Sequence, residues 1–189
     1  MKPSALPEET LRRVLRISRL SGLSVLIIAG LGALLSLALG DLVGVGVGLV
    51  VAFGGWTELA GRKQLLRGEA EGIDRLVRSQ WIVLGAILVY CVSRLASFDP
   101  DTALGPLTSD MRTQLAEAGV DLASVLPLVR LMFYLLYGSV ALITLIYQGL
   151  MARYYRRRAE PVRLALEARL HPVVPPVVKT GPDPEDLLT

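Results

Sequence analysis

Polar side chains recur at helical spacing within two otherwise apolar stretches. One face of the later stretch carries Arg130, Tyr134, Tyr137, Thr144 and Gln148. A shorter face of the earlier stretch carries Tyr90, Arg94 and Ser97. Because polar faces inside a membrane turn toward other helices, we expect these two faces to meet, or together to face a cavity or a partner subunit. Interhelical hydrogen bonding is their simplest role, and a ligand or ion path and a partner-binding surface are the alternatives.

The two arginines of these faces could bind anions. Arg94 and Arg130 each lie near one end of their apolar stretch, and we assign that end to the outside of the membrane. Two guanidinium groups at that depth would form an outward-facing site for an anion or a lipid headgroup. The alternative is that each arginine extends to the headgroups or pairs with Asp41, Asp99 or Asp121.

Glu58 is an acid at the inner edge of another apolar stretch. It follows Trp56, a residue typical of the membrane interface, and precedes Arg62 by four positions. This spacing favours a weak Glu58–Arg62 pair on one helix. The alternative is a proton-coupled role for a membrane-embedded carboxylate.

The chain lacks the residue patterns of the common enzyme classes. Its single histidine, His171, lies in a Pro-rich tail, so a histidine-based metal site or triad within the membrane is excluded. Asp41 and Glu58 stand at opposite ends of one apolar stretch and cannot form an acid pair. Cys91 is the only cysteine, which leaves no disulfide framework. We therefore expect a protein that is not an enzyme, with no catalytic residues, no metal and no cofactor.

The positions of these residues follow from four apolar stretches. Hydrophobic residues make up 52% of the 189-residue chain, and they cluster. A transmembrane helix needs roughly 20 mostly apolar residues, which predicts spans at about 20–40, 42–60, 80–98 and 127–152. The fold class is therefore all-α, an integral membrane four-helix bundle. The alternative for the first span is a cleaved signal peptide, with Ser36-Leu37-Ala38 as the cleavage site.

Charge predicts the orientation of the bundle. Seventeen Lys and Arg residues lie in the N-terminal segment, the 61–80 loop and the C-terminal segment, whereas the 98–126 loop holds only Arg112. Because basic loops stay in the cytoplasm, both termini should be cytoplasmic. These cations would anchor to anionic lipid headgroups, so the lipid bilayer is the expected partner and nucleic acid is not.

The flanking segments complete the predicted domain organisation. Residues 1–19 read as a cytoplasmic amphipathic segment, 20–152 as the transmembrane domain, 153–170 as a basic cytoplasmic helix extension and 171–189 as a Pro-rich mobile tail. The 59–80 segment should be helical with an interruption near Gly68 and Gly72, and its Leu65, Leu66, Ile73, Leu76 and Val77 should face lipid or the helix ends. A short helix capped by Thr108 or Ser109 is expected in the outer loop.

Small residues follow a spacing of four in the first two spans. The stripe comprises Gly32, Ser36, Gly40, Gly44 and Gly48. Such spacing lets helix backbones approach closely, so we expect a tight antiparallel pair joined by a turn at Gly40-Asp41. The alternative is a homo-oligomer interface or a flexible gate.

Two functional classes remain. The first is a non-enzymatic structural or accessory subunit that packs with itself or within a larger membrane complex. The second is a small oligomeric transporter or channel with a polar path between spans three and four. The preference for Arg over Lys and the short loops favour a bacterial inner membrane.

Overall fold

The computed structural model describes residues 6–99, 109–117, 119 and 122–170, and the regular structure in these ranges is helical. The helices are α1 (Pro7–Ala38), α2 (Leu42–Leu66), α3 (Gly72–Ala96), α4 (Ser109–Glu117), α5 (Leu122–Arg157) and α6 (Ala159–Leu170). Asp121, Thr108 and the predicted tail at 171–189 lie outside the described residues.

Four of these helices are long and apolar enough to cross a membrane: α1, α2, α3 and α5. The predicted all-helical fold and the presence of four helices that could span a membrane are confirmed. With 32 residues, α1 is about 48 Å long, well beyond a hydrocarbon core of about 30 Å. Helix α1 is therefore longer than a membrane span requires.

Two short turns join the first three helices. Gly40 takes a positive φ of 72°, and the Asp41 carboxylate accepts a hydrogen bond of 3.1 Å from the Gly44 N–H. This arrangement ends α1 and caps α2, at the predicted turn. The second turn contains Gly68, whose φ is 87°, and it separates α2 from α3 near the predicted interruption.

The close approach of α1 and α2 uses part of the predicted small-residue stripe. A Cβ on Gly44 would lie 2.5 Å from the Ser36 hydroxyl oxygen, and one on Gly48 would lie 2.8 Å from the Ala33 Cβ. Gly32, in contrast, has open space at its Cβ position, and Gly40 serves the turn. The stripe thus contains three contact positions rather than five, because the face of α1 that contacts α2 carries Ala29, Ala33 and Ser36, and Gly32 lies beside that face.

Beyond the spans, the helices pack into a compact region that we call the head. Its core is contributed by α1, α2, α3, α5 and α6, and consists of Leu11, Val14, Leu65, Ile73, Leu76, Tyr155, Val162, Ala165 and Leu166. The prediction that Leu65, Ile73 and Leu76 face lipid or the helix ends is therefore wrong. Helices α2 and α3 remain paired past the spans, since Gly61 and Gly72 allow their backbones to touch.

Helix α6 closes the head against α1. The Arg169 guanidinium donates a 3.3 Å hydrogen bond to the Glu8 carboxylate, which also accepts one from Arg12. Arg169 first, and then Arg12, hold the pKa of Glu8 below its ordinary value. The apolar face of the first turns of α1 thus packs on protein, with Leu11 and Val14 fully buried.

The spans themselves form an open arc. Helices α1, α2, α3 and α5 pack in chain order, and no extensive packing joins α1 to α5 within the described residues. The most apolar window of α5 contains no residue buried in the protein. The spans therefore leave a lengthwise groove between α1 and α5.

Candidate functional site

Glu58 lies at the centre of a buried polar cluster where the head meets the spans. Its side chain accepts hydrogen bonds from the Ser21 hydroxyl at 3.1 Å and from the Tyr155 hydroxyl at 2.7 Å. The buried Gln80 amide lies close to the same carboxylate. We call Ser21, Glu58, Gln80 and Tyr155 the Glu58 cluster, and each member comes from a different long helix.

Close helix packing positions these four residues. Gly55, one turn before Glu58, brings α2 against the Gly22 carbonyl of α1, beside Ser21. On α3, the Gln80 amide is oriented by a 3.1 Å hydrogen bond to the Ser79 hydroxyl. Tyr155 is completely buried in the head core. The cluster is therefore held by backbone contacts and by core packing.

The Glu58 carboxylate does not form the predicted ion pair with Arg62. Glu58 is 2% exposed, yet within the described part of the chain it forms no ion pair with Arg62. Arg62 instead donates to the Leu15 carbonyl at 3.2 Å. The predicted Glu58–Arg62 pair is wrong, because Glu58 points into the bundle while Arg62 spans the α1–α2 interface. Among the described residues, the side chains that donate to the carboxyl group are neutral, so the cluster can accommodate either a proton or a buried negative charge.

Sequence reasoning singled out Glu58 but missed the other three members of the cluster. Ser21, Gln80 and Tyr155 each stand at the end of their apolar stretch that carries the basic residues. Their similar expected depth in the membrane, together with Gly55 on the same face of α2 as Glu58, is the sequence signal that could have identified these residues.

The predicted polar faces of α3 and α5 come together at the opposite end of the spans. The rings of Tyr90 and Tyr137 lie 5.9 Å apart, and the Phe98 ring lies 6.0 Å from that of Tyr134. Arg94 pairs with Asp41 and stacks over Tyr90 at 5.2 Å.

The two arginines have different partners. The Arg130 guanidinium lies 5.0 Å from the Phe98 ring centroid, whereas Arg94 is engaged by Asp41 and Tyr90. Arg94 is therefore joined to the α1–α2 turn by its ion pair with Asp41, which is one of the partners expected for it. The two guanidinium groups share no partner among these contacts.

Gln148 occupies a third location, on the wall of the groove. The groove has a volume of about 400 Å³, and residues of all four spans line it, Gly32, Ser36, Gly44, Gly48 and Tyr90 among them. Gln148 is 5% exposed, and its Oε1 atom is buried without a hydrogen-bond partner. The groove thus contains an unsatisfied acceptor in an apolar wall.

Within the described ranges, no group of three or more His, Cys, Asp and Glu side chains could hold a metal ion. Cys91 is buried and unpaired. Comparison with known protein families, with curated proteins and with solved structures found no significant match.

Proposed function

We propose that the chain is a non-enzymatic membrane subunit, structural or accessory, that completes the packing of its spans against another membrane protein chain. The observation that carries this proposal is a set of span glycines whose Cβ positions face open space. Besides Gly32 in the groove, the set consists of Gly30, Gly46, Gly85, Gly138 and Gly149.

Unpacked glycines are costly in a helix. A glycine costs about 1 kcal/mol relative to alanine in a helix interior, and in this chain Gly44, Gly48 and Gly55 offset that cost by close helix contact. The open glycines make no such contact within the chain. Lipid supplies no hydrophobic drive for helix association, so small residues are the usual means by which membrane helices approach each other.

Helix α5 provides the clearest surface for such a partner. Gly138 and Gly149 are eleven positions apart, which places them on the same face. That face lies away from Tyr137 and Tyr155, which contact the rest of the chain. We propose a homo-oligomer or a larger membrane complex as the assembly.

The proposed setting follows from charge. The basic residues of the head would lie in the cytoplasm with both termini, and the segment containing α4 would lie outside, in a bacterial inner membrane. A single cysteine placed at Glu117 or at Arg163, in a Cys91→Ser background, should react with an impermeant maleimide from opposite sides of sealed vesicles.

The main experiment isolates the tagged protein from its own membranes in mild detergent and measures the mass and composition of the particle. A defined oligomer or hetero-complex is expected. Gly138→Leu and Gly149→Leu should each reduce recovery of the assembly, whereas Leu136→Phe, on another side of α5, should not. A monomer in every mild detergent, unchanged by either glycine substitution, would refute the proposal.

The alternative is a small oligomeric transporter or channel with a polar path between the third and fourth spans. The Glu58 cluster favours it, because ionisable groups inside membrane bundles mark ion or proton pathways more often than structural contacts. Reconstituted vesicles should then show ion or proton flux that Glu58→Gln abolishes. Flux equal to that of empty vesicles would eliminate this alternative.

A further inference from the structure

A basic pocket lies between α3 and α5. Its volume is about 400 Å³, within the range of small-molecule sites. The lining consists of Trp81 from α3 and of Gly149, Ala152, Arg153, Arg156 and Arg157 from α5. A Cβ on Gly149 would meet nothing within 4 Å, so a ligand can approach the α5 backbone at that position.

The three arginines of the pocket present uncompensated positive charge. Among the described residues, no acidic side chain lines the pocket, and none of these arginines forms an ion pair. The Arg156 guanidinium lies 5.8 Å from the Trp81 ring centroid, which holds the side chain while its N–H groups stay free to donate. Another pocket, on α1, is also basic, but it includes Glu9, and its Arg12 pairs with Glu8. The α3–α5 pocket therefore has the charge and the donors that phosphate binding requires.

The pocket lies at the depth expected for lipid headgroups. Trp81 directly follows Gln80, and Arg156 directly follows Tyr155, so both stand beside the Glu58 cluster, where the head meets the spans. Tryptophan is enriched at the boundary between the apolar core of a membrane and water. An anion bound in the pocket would thus lie where the phosphates of the bilayer lie.

An apolar surface continues from the pocket along the spans. Leu145 and Leu142 precede Gly149 by four and seven positions, on the same face of α5. Their side chains are 48% and 58% exposed. Acyl chains attached to a phosphate in the pocket would cover this face, whereas a free phosphate ion would leave it uncovered. The surface therefore favours a lipid over a soluble anion.

We propose that the pocket is a specific site for an anionic phospholipid, beyond the general attraction of basic residues for headgroups. The three arginines donate to the phosphate oxygens, the Trp81 ring packs against the glycerol region, and the acyl chains follow the exposed face of α5. Basic pockets between membrane helices are suited to anionic headgroups. Gly149 also belongs to the α5 face on which we place a partner chain, so the lipid would lie at the edge of that contact.

The two tryptophans of the chain provide matched reporters. Trp56→Phe leaves Trp81 alone, and Trp81→Phe leaves Trp56, which does not line the pocket; the two side chains are 49% and 59% exposed. Each variant is reconstituted at low density in phosphatidylcholine bilayers with a small fraction of brominated lipid, since bromine quenches tryptophan fluorescence on contact. The brominated lipid is phosphatidylglycerol or phosphatidylcholine with the same acyl chains.

Trp81 should report a preference for the anionic lipid. Its apparent association constant should be about tenfold higher for phosphatidylglycerol than for phosphatidylcholine, as expected when binding gains one charge-assisted hydrogen bond. Trp56 should report a smaller preference, set by the general surface charge. Because a contact pair is screened less than distant charges, the difference between the two reporters should persist at high salt.

Two pairs of arginines give a matched control for charge. Arg153→Gln with Arg157→Gln keeps the contact of Arg156 with Trp81 and should lower the Trp81 preference to that of Trp56. Arg16→Gln with Arg19→Gln removes the same charge from exposed positions of α1 and should leave the Trp81 preference unchanged.

Three results would overturn the proposal. Equal preferences at Trp81 and Trp56 would leave the pocket free for an acidic segment of a partner, and equal losses from the two arginine pairs would mean that diffuse charge alone attracts the lipid. Reversal by excess inorganic phosphate at constant ionic strength would make the free anion the ligand. The assay uses the isolated chain, so its outcome does not depend on whether a partner subunit exists.

Discussion

Removing the Tyr155 hydroxyl should weaken the junction between head and spans. Tyr155→Phe retains the fully buried ring but removes the donor that lies 2.7 Å from Glu58 Oε1. A hydrogen bond contributes about 0.5–1.5 kcal/mol between neutral groups and about 1.5–3 kcal/mol when one group is charged, and a buried acceptor that loses a donor carries its desolvation cost. We expect the free energy of unfolding to fall by about 2 kcal/mol.

The measurement is unfolding of the chain in mixed micelles by increasing fractions of a denaturing detergent, followed by circular dichroism. Tyr147→Phe is the control, because Tyr147 is 49% exposed on the same helix and should change stability by no more than about 0.5 kcal/mol. Glu58→Leu, which removes the acceptor, and the double variant complete a thermodynamic cycle. Because Tyr155 and Glu58 are in direct contact, the cycle should give a coupling energy of about 1–2 kcal/mol.

The reasoning fails if Tyr155→Phe and Tyr147→Phe have the same effect. It also fails if the Tyr155→Phe and Glu58→Leu effects are additive, since that would mean that the hydroxyl and the carboxyl group do not stabilise each other.

Three further predictions test other parts of the structure. Gly61→Ala places a Cβ about 2.8 Å from a backbone oxygen of α3 and should cost about 1–3 kcal/mol of unfolding free energy, whereas Gly46→Ala, in open space, should be neutral or stabilising by up to about 1 kcal/mol. Asp41→Asn keeps the hydrogen bond that caps α2 but loses the ion pair with Arg94. Asp41→Ala loses both, so it should lower the free energy of unfolding by about 1 kcal/mol more than Asp41→Asn in the same assay. Because the pKa of Glu8 is depressed, its contact with α6 should be retained above the ordinary carboxylate pKa and lost as pH falls through the depressed value. Cleavage of α6 by pepsin, which is active at low pH, should then increase as pH falls by more than it does in the Glu8→Gln variant.

The spans could be predicted because their signal is local. A membrane helix must satisfy its own backbone and be apolar over roughly 20 residues, and both properties are visible in one stretch of sequence. The turn at Gly40-Asp41 is also local, and it lies where the sequence predicts it.

The head and the Glu58 cluster depend on contacts between distant segments. The spacing of Leu65, Ile73 and Leu76 shows an apolar face, but such spacing is the same whether the face contacts lipid or protein. Only the presence of α6 and the N-terminal part of α1 decides between them. Glu58 likewise appeared to belong with Arg62, its neighbour in sequence, because its actual partners, Ser21 and Tyr155, come from other helices.

The head also determines the order in which the protein can mature during synthesis. Its core joins Leu11 and Val14, near the beginning of the chain, to Val162 and Leu166, near the end. The hairpin of α1 and α2 can form as soon as it leaves the ribosome, since its contacts are short in sequence. The apolar face of the first two turns of α1 must then stay uncovered until α6 is translated. A chain truncated before α6 would keep its membrane spans but display this face, which makes it a natural substrate for chaperones and proteases.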